Sequence, residues 1–334
     1  GRSSWIQVED DGAGFEKIED VFTFFGTTSK RSTATVSGRF NSGEKQLLAL
    51  AREWTVETAG KIIKFDGSKR NSRTSEITGT KIRANIICTR DEETEIIDGF
   101  RGLIAPKGLS YIVNDKEVER VFYDYFTNVT LPTVILNGGS MSRTARRTGV
   151  EVYKSDNPKL YELGIPICDI GKGFRYSLNI LQKVPVSMNR DNVPASFMDI
   201  AIGRSLESLT LDGHVLLSED DEGSEFTKGA FNKIKDADAL SILTKQLFGD
   251  EVVRWSSSPE ANLLAERQGF TILPRNTFSK EVNKKLDATN TAPSSLEVFR
   301  SDIDRVQVSD GSTVSSVFTN VKSVCPNCGH DLSE

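Results

Sequence analysis

The segment DDGAG, residues 10–14, groups carboxylates and glycines directly after a strand-like run at residues 5–8. A carboxylate held at the end of a strand can accept a hydrogen bond from the exocyclic amino group of adenine. Gly12 and Gly14 would let the main chain approach a flat base closely, where a Cβ atom would collide. Aspartate and glycine between strand-like runs are also typical of a hairpin turn. The segment therefore predicts either a base contact at Asp10 or a simple turn.

A segment suited to bind an anion, SGRFNSGEK at residues 37–45, lies directly before an apolar-striped helix. Unpaired main-chain N–H groups at a helix start, together with the helix dipole, favour negative charge. The segment predicts a phosphate-binding loop that contains Gly38, Phe40 and Gly43, with Lys45 as an added point charge. A flexible loop before an ordinary helix is the alternative interpretation.

Two further blocks carry hydroxyl groups that could face a ligand. In FFGTTSK, residues 24–30, Lys30 follows hydroxyl side chains in a turn that could contact phosphates or cap a helix. In GTKI, residues 79–82, the Thr80 hydroxyl could bind a base edge or a water molecule beside it. Threonine is also simply a good strand former, so this block alone decides nothing.

The elements that must position these residues alternate between strands and helices, which predicts an α+β chain. The predicted helices cover residues 44–58, 236–248 and 258–268. The predicted strands cover residues 61–65, 76–89, 133–137 and 176–188. Residues 138–149 are typical of a polar, basic loop, and residues 287–295 of a linker.

The order and spacing of the four blocks resemble the nucleotide motifs of the GHKL ATPase superfamily, which holds gyrase, the heat-shock ninety chaperones, histidine kinases and MutL. DDGAG resembles its adenine motif, and SGRFNSGEK resembles its phosphate lid. FGTTSK is similar to the TSK stretch of MutL and to the corresponding piece of MORC ATPases, and GTKI to the same motif of the chaperones. The likeness covers about residues 5–90 and points to a heat-shock-ninety-like or MORC-like member.

This resemblance implies a partial Bergerat-type ATP-binding sandwich, then an α/β middle or transducer-like domain, and then a small C-terminal α/β unit. ATP and Mg²⁺ are the implied ligands. Thr80 takes the role of the adenine-side threonine. The expected boundaries are 1–95 for the ATP-binding domain, 96–205 for the second domain, 206–285 for the third unit and 286–334 for a linker and tail.

The segment LQKVPVSMNRDNVP, residues 181–194, is similar to the middle-domain segment of the heat-shock ninety chaperones that supplies an arginine to the terminal phosphate. The resemblance implies this role for Arg190. Lys183 could instead match the transducer lysine of gyrase and MutL, which has the same role. A strand followed by a polar turn is the alternative for both residues.

The chain departs from the superfamily before its adenine motif. There, a helix carries a glutamate that activates water and an asparagine that holds magnesium. Only nine residues precede Asp10 here, so we expect an N-terminally truncated fragment whose longer parent protein hydrolyses ATP. A second departure is Asn41, where the family usually has glycine.

Composition sets broad limits on the function. A 37% hydrophobic and 27% charged content is typical of a globular protein, and the net charge of −5 gives no global electrostatic case for nucleic-acid binding. Four irregularly spaced cysteines and no secretion signal predict a cytoplasmic protein. Two histidines leave little material for a catalytic triad. Two basic clusters are either solvated loops or phosphate or partner contacts: Lys69, Arg70 and Arg73; Arg143, Arg146 and Arg147.

The C-terminal tail contains CPNCGH, which has the spacing of a zinc knuckle. Cys325 and Cys328 would supply two thiolates, and His330 could be a third ligand to Zn²⁺. A free CxxC or a redox pair is the alternative.

Three functional hypotheses follow. The first is a chaperone-like or remodelling ATPase in which nucleotide binding closes a lid and rearranges domains. The second is a DNA-handling ATPase clamp of the MutL or MORC kind, and the third is a non-hydrolysing phage protein of the rIIA-like type. The expected partners are ATP, a second copy of the chain, and a client protein or DNA, but no membrane. A histidine kinase is disfavoured because another domain follows the ATP motifs.

Overall fold

The computed structural model describes most of the chain. The described residues are 1–23, 29–38, 43–66, 69–137, 140–171, 173–187, 191–221 and 223–309. Helices are mixed with largely antiparallel sheets, so the predicted α+β class is confirmed at this level. The chain divides into two compact units, Gly1–Ser208 and Leu209–Glu334.

The first sheet of the N-terminal unit has five antiparallel strands in the order β1-β5-β2-β3-β4. Its elements are β1 (Arg2–Asp10), α1 (Gly43–Leu50), β2 (Glu53–Thr58), β3 (Lys61–Asp66), β4 (Lys69–Thr74) and β5 (Thr80–Cys88). Alternation along the strands directs Val56, Ile63 and Ala84 to one face. There they form a buried cluster with Leu48 of α1 and with Val21.

The predicted helix over residues 44–58 is wrong in its second half. α1 ends at Leu50, and residues 53–58 form β2, which pairs with both β3 and β5. Trp54 continues the apolar spacing of α1, so a helix was predicted through it, but the pattern changes there to a period of two. The predicted strand at 61–65 is confirmed as β3, and the strand predicted over 76–89 is confirmed from Thr80 to Cys88 as β5.

A second five-stranded sheet follows in the same unit, in the order β11-β10-β12-β9-β8. The elements up to the end of the unit are α2 (Arg90–Arg101), β6 (Ile112–Val113), β7 (Lys116–Glu117), β8 (Tyr125–Asn137), β9 (Ser140–Lys154), β10 (Lys159–Glu162), β11 (Ile165–Asp169), β12 (Tyr176–Ile180) and α3 (Ala195–Leu211). α2 begins with a capping box between Thr89 and Glu92. The hydrogen bond from the Thr89 main chain holds the pKa of the Glu92 carboxyl below its ordinary value. The expected domain boundaries at 95 and 205 lie inside α2 and α3, respectively.

Two predictions about this second region are corrected. Residues 140–149, expected as a basic loop, belong to β9, which pairs with the whole length of β8. Their arginine, serine and threonine side chains resemble a loop in composition, although Gly-Gly between two strand-like runs is a hairpin signal in the sequence. The predicted strand at 133–137 is the end of the longer β8, and the strand predicted over 176–188 ends at Ile180.

The C-terminal unit contains helices around a short parallel strand pair. Its elements are α4 (Glu225–Phe231), α5 (Ala237–Phe248), β13 (Val252–Arg254), α6 (Pro259–Arg267), β14 (Thr271–Leu273), α7 (Lys280–Ala288) and α8 (Ser295–Ser309). The helices predicted at 236–248 and 258–268 are confirmed. The linker predicted at 287–295 is wrong, because Thr291, Ala292 and Ser295 are buried between α7 and α8. Among the described helices, none has the length and apolar character needed to cross a bilayer.

Candidate functional site

The candidate site forms where β1, β2 and β5 meet at one end of the first sheet. Asp10 is the register partner of Thr80, and Thr58 is the partner of Thr80 on its other side. Register partners in antiparallel strands point to the same face of the sheet. The Thr58 and Thr80 hydroxyl oxygens lie 3.3 Å apart, and both side chains are buried. A carboxylate and two hydroxyl groups are therefore collected on the face that α1 covers.

A tight bend follows Asp10 and is fixed by hydrogen bonds on both sides. The main-chain N–H of Gly12 donates to Asp10 Oδ1 at 2.9 Å, and that of Phe15 donates to Thr58 Oγ1 at 3.0 Å. Gly14 has a φ of +78°, and a Cβ atom there would lie 2.7 Å from Thr58 Oγ1. Asp10 itself stays exposed, so a ligand can reach its carboxylate.

Another glycine, Gly79, lies directly before β5 and packs against the bend. It has a φ of +91°, and a Cβ atom would lie 1.9 Å from the main-chain oxygen of Asp10. No side chain can occupy that space without moving the bend away from β5. The approach of the two main chains thus depends on glycine at this position.

Lys45 lies next to the same bend, on the first turn of α1. Its ammonium nitrogen is 5.8 Å from the centre of the Phe15 ring, and the side chain is 3% exposed. The structure therefore brings together five of the predicted site residues. They are Asp10, Gly12, Gly14, Lys45 and Thr80.

A second group of predicted residues forms around Lys183, which is fully buried. Its ammonium donates to the main-chain oxygens of Lys30 and of Thr33, the latter at 2.8 Å. The main-chain N–H of Lys183 donates to the main-chain oxygen of Ala34 at 2.7 Å. Gly38 lies close to Lys30, because a Cβ atom on Gly38 would be 3.4 Å from Lys30 Cδ.

The second sheet holds Lys183 in place. The Thr133 hydroxyl of β8 donates to the Lys183 oxygen at 2.7 Å. The side-chain amide of Gln182 donates to the Leu131 oxygen at 3.2 Å, and the N–H of Val184 donates to Glu162 Oε2 at 2.8 Å. Lys183 therefore ties residues 30–34 to the second sheet.

Replacement of Lys183 by methionine should lower the free energy of unfolding by about 2–5 kcal/mol, because two main-chain carbonyl groups lose the charged donor that is buried against them. Urea unfolding followed by circular dichroism measures the change. The matched control is Lys159→Met, since Lys159 is an exposed lysine of β10 in the second sheet. An unchanged unfolding midpoint for Lys183→Met would show that the ammonium contributes nothing to this connection.

The remaining predicted site residues add little to the description of the site. Gly43 is the first residue of α1. Among the described residues, no three or more His, Cys, Asp or Glu side chains form a group that could hold a metal ion. Five predicted site residues lie outside the described residues: Phe40, Arg190, Cys325, Cys328 and His330.

Sequence reasoning missed two residues of this site, Thr58 and Gly79. The helix predicted over residues 44–58 ends with Thr58, although EWTVET, residues 53–58, alternates as a strand does. The Ala59-Gly60 pair that follows β2 is a turn signal that could have corrected this. Gly79 begins the GTKI motif, but no local signal predicts its contact with Asp10, because that contact joins segments far apart in sequence.

Comparisons with known proteins leave the family open. No protein-family model matches the chain, and no curated protein does. The chain is similar to the ATPase region of Saccharomyces cerevisiae topoisomerase II, with a TM-score of 0.37 and 10% identity over 58% of this chain and 73% of that one. It is also similar to the N-terminal domain of a DNA repair protein, with a TM-score of 0.28 and 13% identity over 56% and 78% of the two chains. Likenesses at these TM-scores are too weak to decide the function, which has to be inferred from the site.

Proposed function

We propose that the chain binds ATP at the ends of β1, β2 and β5, as a GHKL-type nucleotide-binding domain. The observation that carries this proposal is the pairing of Asp10 with Thr80 beside a glycine bend. The exocyclic amino group of adenine is a donor that suits the Asp10 carboxylate. The Thr80 hydroxyl can both donate and accept, which suits a ring nitrogen or a bridging water.

The phosphates would lie toward the start of α1. Lys45 and the segment that contains Gly38, Phe40 and Gly43 are the proposed phosphate contacts, together with Lys30. Lys45 is buried beside Phe15 in this conformation. We propose that the segment before α1 acts as a lid over the phosphates.

Residues 30–34 connect this proposed lid with the second sheet, so a movement of the lid would affect that sheet. Residues 30–34 precede the lid and are bonded to Lys183. We therefore propose that nucleotide binding rearranges the first unit, as in a chaperone-like or remodelling ATPase, with a client protein and a second copy of the chain as partners. Lys183 would then connect the nucleotide site to the second sheet, and Arg190 is a further proposed phosphate contact.

Among the residues that the structure describes, no group of three or more His, Cys, Asp or Glu side chains could hold a metal ion, and we assign no residue to Mg²⁺. In ATPases of this kind, Mg²⁺ neutralises phosphate oxygens when it is bound. ATP hydrolysis by the parent protein, and Zn²⁺ at Cys325, Cys328 and His330, stay predictions. The DNA-handling clamp and the non-hydrolysing phage protein remain the alternatives for the biological role.

Nucleotide selectivity tests the proposal. Isothermal titration calorimetry would compare ATP with GTP, which presents a carbonyl oxygen where adenine has its amino group. We expect ATP to bind at least about tenfold more tightly, because an acceptor facing the Asp10 carboxylate leaves both groups unsatisfied. Equal affinities for the two nucleotides, or no binding of either, would overturn the assignment.

A further inference from the structure

The β8–β9 ribbon carries a concentration of positive charge that the nucleotide site does not use. Residues 125–150 contain three arginines, Arg143, Arg146 and Arg147, and no lysine, aspartate or glutamate. All three arginines are exposed. The whole chain has a net charge of −5, so this ribbon is opposite in sign to the protein around it.

The outer part of the ribbon is open on one edge. β12 pairs with β9 only from Val150 to Lys154, so residues 140–149 pair with β8 alone among the described strands. Arg143 and Arg147 are four residues apart and point to the same face. Their Cα atoms are therefore separated by about 13 Å in an extended strand. Two guanidinium groups are thus presented along one side of a narrow ribbon.

A cleft of 490 Å³ lies at the base of the ribbon. The residues that line it include Arg146, Arg147, Thr35, Asn128 and Thr148, and none of the described lining residues is acidic. Hydroxyl, amide and guanidinium groups are the donors that bind phosphate oxygens. The cleft and the ribbon therefore both contain residues that can donate hydrogen bonds to phosphate oxygens.

The other basic cluster of the chain is different, because acidic residues balance it. Residues 53–76 around β4 contain five basic and four acidic side chains. Lys64 pairs with Glu53 at 3.5 Å, and the Arg70 guanidinium lies 4.4 Å from the centre of the Phe22 ring. This cluster has little excess charge to offer a polyanion.

We propose that the outer β8–β9 ribbon and the cleft at its base bind the phosphate backbone of a nucleic acid, without preference for sequence. Arginine binds phosphate through two parallel N–H groups, and the spacing of Arg143 and Arg147 lets each guanidinium group contact a different phosphate of one strand. The unbalanced charge favours such a polyanion over a folded protein surface of mixed charge. This inference goes beyond ATP binding and does not depend on it.

Fluorescence anisotropy with a labelled DNA duplex and a labelled single strand, each at several salt concentrations, tests the proposal. We expect the wild-type chain to bind, with affinity falling as salt rises. The variant Arg143→Ala/Arg146→Ala/Arg147→Ala should lose at least about tenfold in affinity, and its plot of log K against log salt should be shallower by about 2–3.

The matched control is Lys69→Ala/Arg70→Ala/Arg73→Ala. Both triple variants take the net charge from −5 to −8, because each removes three positive charges. The control should keep its affinity within about twofold if the ribbon is the site. Equal losses in the two variants, absence of binding by the wild type, or complete displacement of DNA by polyglutamate at equal charge would overturn the proposal. The variant Asp10→Asn should bind DNA normally, so failure of the ATP proposal can be told apart from failure of this one.

Discussion

Replacement of Asp10 by asparagine is expected to weaken ATP binding by about 10- to 200-fold, which corresponds to the loss of one hydrogen bond to a charged group. Asparagine keeps an oxygen that can accept from the Gly12 N–H, so the bend should persist. Its amide N–H₂ would then face the amino group of adenine, and two donors cannot satisfy each other. The substitution should therefore lower the affinity for ATP and leave the free energy of unfolding unchanged.

The measurement is isothermal titration calorimetry with ATP, and the matched control is Asp11→Asn. Asp11 is the neighbouring exposed carboxylate, and its replacement makes the same change in net charge. A general electrostatic effect would weaken both variants alike. Loss of affinity in Asp10→Asn alone would support the adenine contact, whereas unchanged affinity would place the base elsewhere.

Replacement of Gly79 by alanine is expected to lower the free energy of unfolding by about 3–5 kcal/mol. The new Cβ atom would lie 1.9 Å from the Asp10 oxygen, so either the bend or the start of β5 has to move. A positive φ adds strain to any residue with a side chain. Because the bend presents Asp10, ATP affinity should fall together with stability.

Gly108→Ala separates the clash from the backbone strain. Gly108 has a φ of +85°, and a Cβ atom there would have no described atom within 4 Å beyond its chain neighbours, so it carries the strain without the clash. We expect this control to cost about 1 kcal/mol. Urea unfolding curves of the two variants measure the difference. Equal destabilisation would mean that Gly79 is needed for its conformation and not for the close approach to Asp10.

The sequence predicted the parts of the site that lie in short, ordered blocks. DDGAG and GTKI were predicted to act on one ligand, and the structure places Asp10 and Thr80 as register partners. Glycine at a bend and threonine at a strand end are local signals. Their order along the chain, which resembles that of a nucleotide-binding family, predicted that they act on one ligand. The helices at 236–248 and 258–268 were also predictable, because their apolar spacing is helical throughout.

Features that depend on distant pairing were not predictable. Thr58 joins the site only because β2 pairs with β5, and an apolar stripe running from α1 through Trp54 concealed that strand. The burial of Lys183 depends on carbonyl groups 150 residues or more away in sequence. A lysine in a predicted strand gives no local sign that its ammonium will be enclosed by main-chain oxygens.

The position of β4 at the end of the first sheet has a consequence for self-association. Its six side chains are all exposed, and three of them, Lys69, Arg70 and Arg73, are positively charged. The unpaired edge of a strand can form hydrogen bonds with a strand of another chain, and repeated cationic side chains oppose such pairing. Two copies meeting edge to edge at β4 would bring Lys69, Arg70 and Arg73 of each copy close together, so this edge does not favour strand addition between two copies.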